Sequence, residues 1–203
     1  MSSPAKMAKS ALRKRVKSAV SQLSSEERAR QSRAVTRQLL AVPQYQQSQR
    51  VSVYLSMPDE IQTGDIVADL LRAGKQCFIP RYESGSSHMD MVRLHSAADL
   101  AALPTTKWNI QQPSLDEQRE EALQTGGLDL ILMPGLAFSR AGHRLGRGRG
   151  YYDRYLTRCR EAQRRPPATV ALAFAEQLVD EVPVEETDVP VDVVLCAGGE
   201  GDH

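Results

Sequence analysis

The 203-residue chain has only three cysteines, Cys77, Cys159 and Cys196, an odd number at wide spacing. That excludes a disulfide framework and a cysteine zinc site, and it fits a reducing compartment. Long apolar runs are missing too. Runs such as Leu130-Ile131-Leu132-Met133 are far too short to span a bilayer, so no membrane partner is expected. Charge of one sign is not in excess: 26 basic against 25 acidic side chains leave +1, so any nucleic-acid or anion binding must be local. The four histidines, His88, His95, His143 and His203, show no ligand spacing, and Ser56 and Ser139 lack the context of an activated nucleophile. Neither G-x-x-x-x-G-K-[ST] nor a G-x-G-x-x-G after the first strand is present. There are no repeats, no low-complexity segments and no clear linker.

What is present suffices for a core: 41% apolar and 25% charged residues are near the average of a globular domain. One domain over 1–203 is expected. Residues 6–17 carry Lys6, Lys9, Arg13, Lys14, Arg15 and Lys17, while Ala8, Leu12, Val16, Ala19 and Leu23 recur at helical spacing. This basic amphipathic helix, about 5–22, reads equally as a transit peptide or as an ordinary first helix with a solvated face. Ser24 and Glu27 form a capping box for a second helix that Pro43 stops. Strands are expected at RVSVYL (50–55), CFIP (77–80), HMDMVRL (88–94), LDLILMP (128–134), TVALAF (169–174) and VDVVLC (191–196). Thr63 is placed to cap a helix ending at Gly74, and Tyr152, Tyr155, Leu156 and Cys159 mark another before Pro166. Residues 104–127, with the only tryptophan, Trp108, read as a long surface excursion. Strands alternating with helices imply a layered α/β fold with a mostly parallel sheet.

The chemistry concentrates in RLGRGRGYYD (144–153), where Gly146, Gly148 and Gly150 alternate with Arg144, Arg147 and Arg149 ahead of a helix. Glycines let backbone N–H groups approach an anion, the helix N-terminus adds a favourable dipole, and guanidinium forks suit phosphate oxygens. A flexible basic turn is the bland alternative. An RG-rich RNA-binding segment with two tyrosines for stacking is the rival. Asp153, in the first helical turn, serves either as a dipole-stabilising acid or as a magnesium ligand. Asp188 and Asp192 flank Pro190 before the last strand. By default the acids of SMPDE (56–60), Asp59 and Glu60, are solvated, although loops after strands in such sheets form clefts.

Taken in order, K-S-A-L-R (9–13), LSMPDEIQT (55–63), FIPRY (78–82), HMDMVRL (88–94), KWNIQQP (107–113), MPGLAFS (133–139) and GRGRGYYDRYL (146–156) resemble the 5-formyltetrahydrofolate cyclo-ligase family, also called methenyltetrahydrofolate synthetases. The resemblance runs over roughly residues 8 to 196, and R-x-G-Y-Y-D is its most specific piece. It implies a three-layer α/β sandwich similar to the ribose-phosphate isomerase and coenzyme-A-transferase group. The implied activity is MgATP-driven closure of 5-formyltetrahydrofolate to 5,10-methenyltetrahydrofolate, in a cytosolic monomer that binds no nucleic acid. A folate-sequestering protein without turnover is a further alternative.

By position, the resemblance implies ATP contacts at Lys9, Ser10, Ala11, Leu12 and Arg13, which favours an active-site helix over a presequence. It implies further ATP contacts at Arg144, Leu145, Gly146, Arg147, Gly148, Arg149, Gly150, Tyr151 and Tyr152. Folate contacts are implied at Arg13, Leu55, Glu60, Arg147, Gly148, Arg149, Gly150 and Tyr151, and magnesium ligands at Asp153 and Asp188. Arg147 and Arg149 are the catalytic candidates. At Arg149 relatives commonly have Lys or Gly, which leaves its individual role open.

Overall fold

A computed structural model describes residues 4–83, 85–106 and 110–198; Trp108 and the end of the C-terminal tail lie outside the described residues. Six strands form one sheet: β1 (Arg50–Ser52), β2 (Gln76–Tyr82), β3 (Met89–Leu94), β4 (Leu130–Met133), β7 (Ala168–Ala173) and β8 (Val193–Cys196). Their spatial order is β3-β2-β1-β4-β7-β8. All neighbours are parallel except β2 and β3, which pair antiparallel from Cys77 opposite Leu94 to Tyr82 opposite Met89. A two-stranded hairpin, β5 (Ala137–Phe138) and β6 (Arg144–Leu145), stands apart. The helices are α1 (Pro4–Ser21), α2 (Ser25–Ala41), α3 (Pro43–Gln47), α4 (Gly64–Arg72), α5 (Ala97–Ala102) and α6 (Tyr151–Ala162).

Strand alternation sends side chains to two cores. Val51, Ile79, Leu130, Leu132, Val170 and Leu172 meet Leu12, Val16, Leu39 and Leu70 from the α1, α2 and α4 side. Phe78, Met91, Ile131, Met133 and Ala171 meet Tyr155, Leu156 and Cys159 of α6 on the other. The expected three layers follow. Central strand β4 is buried at all four positions, which explains its continuous apolar run. Edge strand β8 has only Leu195 and Cys196 buried, because it lacks a neighbour on one side.

Local signals hold with two amendments. Ser24 caps α2 by accepting the Glu27 N–H at 3.1 Å, but the Glu27 carboxylate turns to Arg30 and Gln31, so only half of the capping box forms. Thr63 stands at the α4 N-cap without capping it, because its hydroxyl donates instead to the Tyr54 carbonyl at 2.6 Å.

The chain leaves β1 for β2 on one side, while β4 lies on the other. The segments after β1 and β4 therefore diverge and leave a crevice at their C-terminal ends, the ordinary ligand position of such sheets.

Candidate active site

That crevice opens into a cavity of about 1230 Å³. Tyr54, Leu55 and Glu60 line it after β1, Tyr82 from β2, Pro134 and Gly135 after β4, residues 144–154, and Glu185 to Val189 before β8. Lys9 and Arg13 of α1 complete the wall.

The buried stripe of α1 is Lys9, Leu12, Val16 and Val20, so Lys9 occupies the first position of an otherwise apolar face. A buried ammonium needs partners. Its Nζ donates to Glu185 Oε2 at 2.8 Å and Asp188 Oδ2 at 2.5 Å. Burial disfavours the charge, but the two acids outweigh it and raise the Lys9 pKa. One turn on, Arg13 Nε donates to the Gly146 carbonyl at 2.9 Å and ties α1 to the glycine loop. Leu12 points into the core, while Ser10 and Ala11 are exposed and off the cavity. Only two of the five residues in 9–13 thus face the site.

The loop enters α6 through Gly150, at φ 69°, which offers no side-chain cap to the first turn. Gly148, at φ 99°, is the other residue here whose backbone conformation favours glycine. The uncapped N–H groups of α6 and the positive end of its dipole therefore face the cavity rim, where an anion would be favoured.

The three arginines differ in placement. Arg144 is turned inward, its side chain 5% exposed; it donates to Asp153 Oδ2 at 3.0 Å and to the Pro134 carbonyl at 3.3 Å. It lines the cavity while its fork holds Asp153 and the turn after β4. Arg147 Nη2 donates to Asp59 Oδ1 at 2.8 Å and Glu60 Oε1 at 3.1 Å. Arg149 is exposed, and its side chain makes no hydrogen bond among the described residues; its carbonyl accepts from Arg154 at 2.9 Å.

Glu60 is not solvated. It is 6% exposed, and its Oε2 accepts the Met57 N–H at 3.0 Å. Burial raises its pKa, opposed by Met57 and Arg147. A buried carboxylate at a cavity wall, with one oxygen held by a guanidinium that a second acid also holds, is equipped to accept a pair of N–H donors from a ligand. Tyr151 and Tyr152 diverge. The Tyr151 hydroxyl donates to the Ser86 carbonyl at 3.0 Å and its ring lies 4.9 Å from that of Tyr82. Tyr152 is buried against the second core. The pair of stacking tyrosines that an RNA-binding segment needs is therefore not on offer.

Asp153 and Asp188 come together although 35 positions apart in sequence. Asp153 Oδ1 accepts the N–H of Val189, the residue after Asp188, at 3.3 Å. Their side chains are 22% and 25% exposed on the cavity wall. Asp192 lies elsewhere, accepting from the Thr169 N–H at 2.7 Å and from its hydroxyl at 2.8 Å. Carboxylate oxygens are hard ligands of the kind magnesium takes one or two at a time, but here Asp153 is paired with Arg144 and Asp188 with Lys9, and no group of three or more His, Cys, Asp or Glu that could hold a metal ion is found among the described residues. Cys77 and Cys159 are buried away from the cavity, with thiol pKa values pushed up by burial to about 12 in each case. They are no nucleophiles.

Several lining groups gave little sequence signal. Glu185 pairs with Lys9 across 176 positions, and the Gln112 side chain brackets the Tyr82 backbone, accepting its N–H at 3.2 Å and donating to its carbonyl at 3.1 Å. Gln112 fell within a motif but without a role. Nothing local marks such long-range pairs.

Comparison with known proteins places the chain among its relatives. Residues 5–197 match the model of the 5-formyltetrahydrofolate cyclo-ligase family. The chain is 54% identical over 188 residues to the 5-formyltetrahydrofolate cyclo-ligase of Mus musculus, covering 93% of each chain. It is 30% identical over 206 residues to that of Saccharomyces cerevisiae, covering 94% of this chain and 96% of the yeast one. Among solved structures it is similar to the 5,10-methenyltetrahydrofolate synthetase of Aquifex aeolicus, with a TM-score of 0.74 at 29% identity over 94% of this chain and 90% of the other.

Proposed function

The chain belongs to the 5-formyltetrahydrofolate cyclo-ligase family, and on that premise we propose that it converts 5-formyltetrahydrofolate to 5,10-methenyltetrahydrofolate, driven by ATP, with release of ADP and phosphate. The observation that carries the reading is one cavity lined together by the buried Glu60, the uncapped α6 N-terminus, Asp153 and Asp188.

Glu60 suits the pterin edge, whose neighbouring ring N–H and amino donors match a carboxylate. The glycine loop and Arg13 suit the ATP phosphates, with Lys9 beside Asp188 on the same wall. Asp153 and Asp188 would hold magnesium, which when bound supplies positive charge to the phosphate oxygens. Burial within the α1 stripe makes Lys9 part of this site, which supports an active-site helix over a presequence.

An N-formyl group is amide-like, so its oxygen is a poor leaving group when N10 attacks. Phosphorylation overcomes this. The formyl oxygen, enriched by donation from N5, bonds to the γ-phosphorus as the bridging P–O bond breaks and ADP leaves. N10 then bonds to the activated carbon, the C–O bond breaks, phosphate departs, and N10 gives up its proton. The protein's part is positioning and charge: Arg147, Arg149 and the loop N–H groups face the phosphoryl oxygens, while Glu60 fixes the pterin so that N10 lies near the carbon. No side-chain nucleophile is required. Residues 1–203 would act as one domain, monomeric and cytosolic. No helix among the described residues is long and apolar enough to cross a membrane.

The test labels the formyl oxygen with heavy isotope and follows product absorbance with and without MgATP. One labelled atom per turnover should enter released phosphate. Label in water with light phosphate would overturn the mechanism, and tight folate binding without product would favour a sequestering protein.

A further inference from the structure

Asp59 and Glu60 share one nitrogen of Arg147, at 2.8 and 3.1 Å. The two acids are not equivalent. Glu60 has a side chain only 8% exposed and is inside the cavity wall, whereas Asp59 is 39% exposed at its rim. If a ligand's N–H donors occupy Glu60, they displace Arg147 from Oε1. The Arg147 side chain, 34% exposed, would then give up an ion pair at a modest cost. Asp59 removes that cost because it already holds the same nitrogen.

We propose that Asp59 is a positioning residue of the folate half of the site: it retains Arg147 when substrate claims Glu60, so the carboxylate is vacated without stranding a charge. The inference rests on Glu60 being the pterin acceptor. It also bears on both substrates. Arg147 belongs to the glycine loop, so pterin binding changes the partners of a residue that faces the phosphoryl group, and folate binding prepares the loop for ATP.

Without Asp59, Glu60 would keep the whole of the Arg147 interaction in the free protein, and substrate would compete against a tighter partner. The acid side gives a second signature. Arg147 from the loop and Asp59 from its own turn act on Glu60, which in turn helps keep the buried Tyr54, Tyr82 and Tyr152 hydroxyls protonated. Replacing Asp59 by Asn removes the negative neighbour that helps raise the Glu60 pKa. The pH at which acid weakens folate binding should therefore fall, while binding at neutral pH also weakens. A merely damaged turn would not produce that combination.

The experiment is calorimetric titration of the full chain with 5-formyltetrahydrofolate, without ATP, from pH 5 to 8, alongside melting temperatures. Asp59→Asn should weaken binding at neutral pH about fivefold, the worth of a partly exposed ion pair. Its acid limb should shift to lower pH, and Asp59→Glu should restore most of the affinity. Wild-type or tighter binding by Asp59→Asn overturns the inference, as does a lowered melting temperature that Asp59→Glu shares. Glu60→Gln separates the two readings. If it binds folate like wild type, the assignment of Glu60 fails and the inference with it. If it weakens binding while Asp59→Asn does not, the inference alone fails.

Discussion

Single side chains in this site act according to their burial more than their type. Arg144, Arg147 and Arg149 alternate with glycine in sequence, yet one is a buried strut, one is shared between acids and one faces water. Arg149→Lys should therefore keep kcat/KM within about twofold, because it retains the positive charge offered to the phosphoryl oxygens and breaks no side-chain hydrogen bond among the described residues. Arg144→Lys is a harsher change, since one ammonium cannot reproduce the bonds to Asp153 and the Pro134 carbonyl. Steady-state kinetics of both variants check the contrast; equal losses would contradict the placement. Asp153→Asn and Asp188→Asn keep shape and remove charge, so each should raise the magnesium concentration needed for half-maximal rate. Asp192→Asn should not, because Asp192 is bound to Thr169 away from the cavity. Magnesium titrations at saturating ATP decide this.

At the scale of elements, α1 is joined to the site at one end and to the core along its length. Lys9→Met should leave the melting temperature near wild type, because it continues the apolar stripe, while raising KM for ATP several-fold. A change confined to the melting temperature would make Lys9 structural only. The hairpin β5–β6 offers a sharper case. Gly142 stands at φ 85°, and a Cβ there would lie 2.4 Å from the Val191 carbonyl oxygen. Gly142→Ala should destabilise by roughly 1–3 kcal/mol through strain and a backbone clash, measurable by urea denaturation. The local grammar of helix ends is less exact than their positions. Ser24 caps α2 as read, whereas Thr63 spends its hydroxyl on Tyr54, because a buried carbonyl one loop away is the more demanding partner.

Across the whole molecule, pH acts through buried acids. Glu121 is 6% exposed and its Oε1 has no hydrogen-bond partner among the described residues. Burial raises its pKa against the N–H groups of Leu123 and Gln124. A carboxyl whose folded pKa lies above its unfolded value contributes stability that is present below the unfolded pKa and lost as pH rises through the folded one. Glu121→Gln should therefore raise the melting temperature more at pH 8 than at pH 5, as thermal scans at the two values can measure. An equal gain at both would show that burial of the charge is not the cause.

Apart from the short hairpin β5–β6, the strands, the principal helices, the layered α/β class, and the glycine–arginine loop at the head of α6 are legible in the chain alone. Each is written in local periodicity, in turn residues, or in a contiguous motif whose chemistry is backbone chemistry. The sequence could also carry a family resemblance along its whole length. Only tertiary structure decided that Glu60 is buried and not solvated, that Lys9 lies between Glu185 and Asp188, and that Arg144 turns inward while Arg147 reaches Asp59. These are encounters between residues that the fold brings together from remote parts of the chain, at the ends of β1 and β4 where the crossovers diverge. The environment of an ionisable group depends on the water excluded and the charges within a few ångströms, and neither quantity is encoded by its neighbours in sequence.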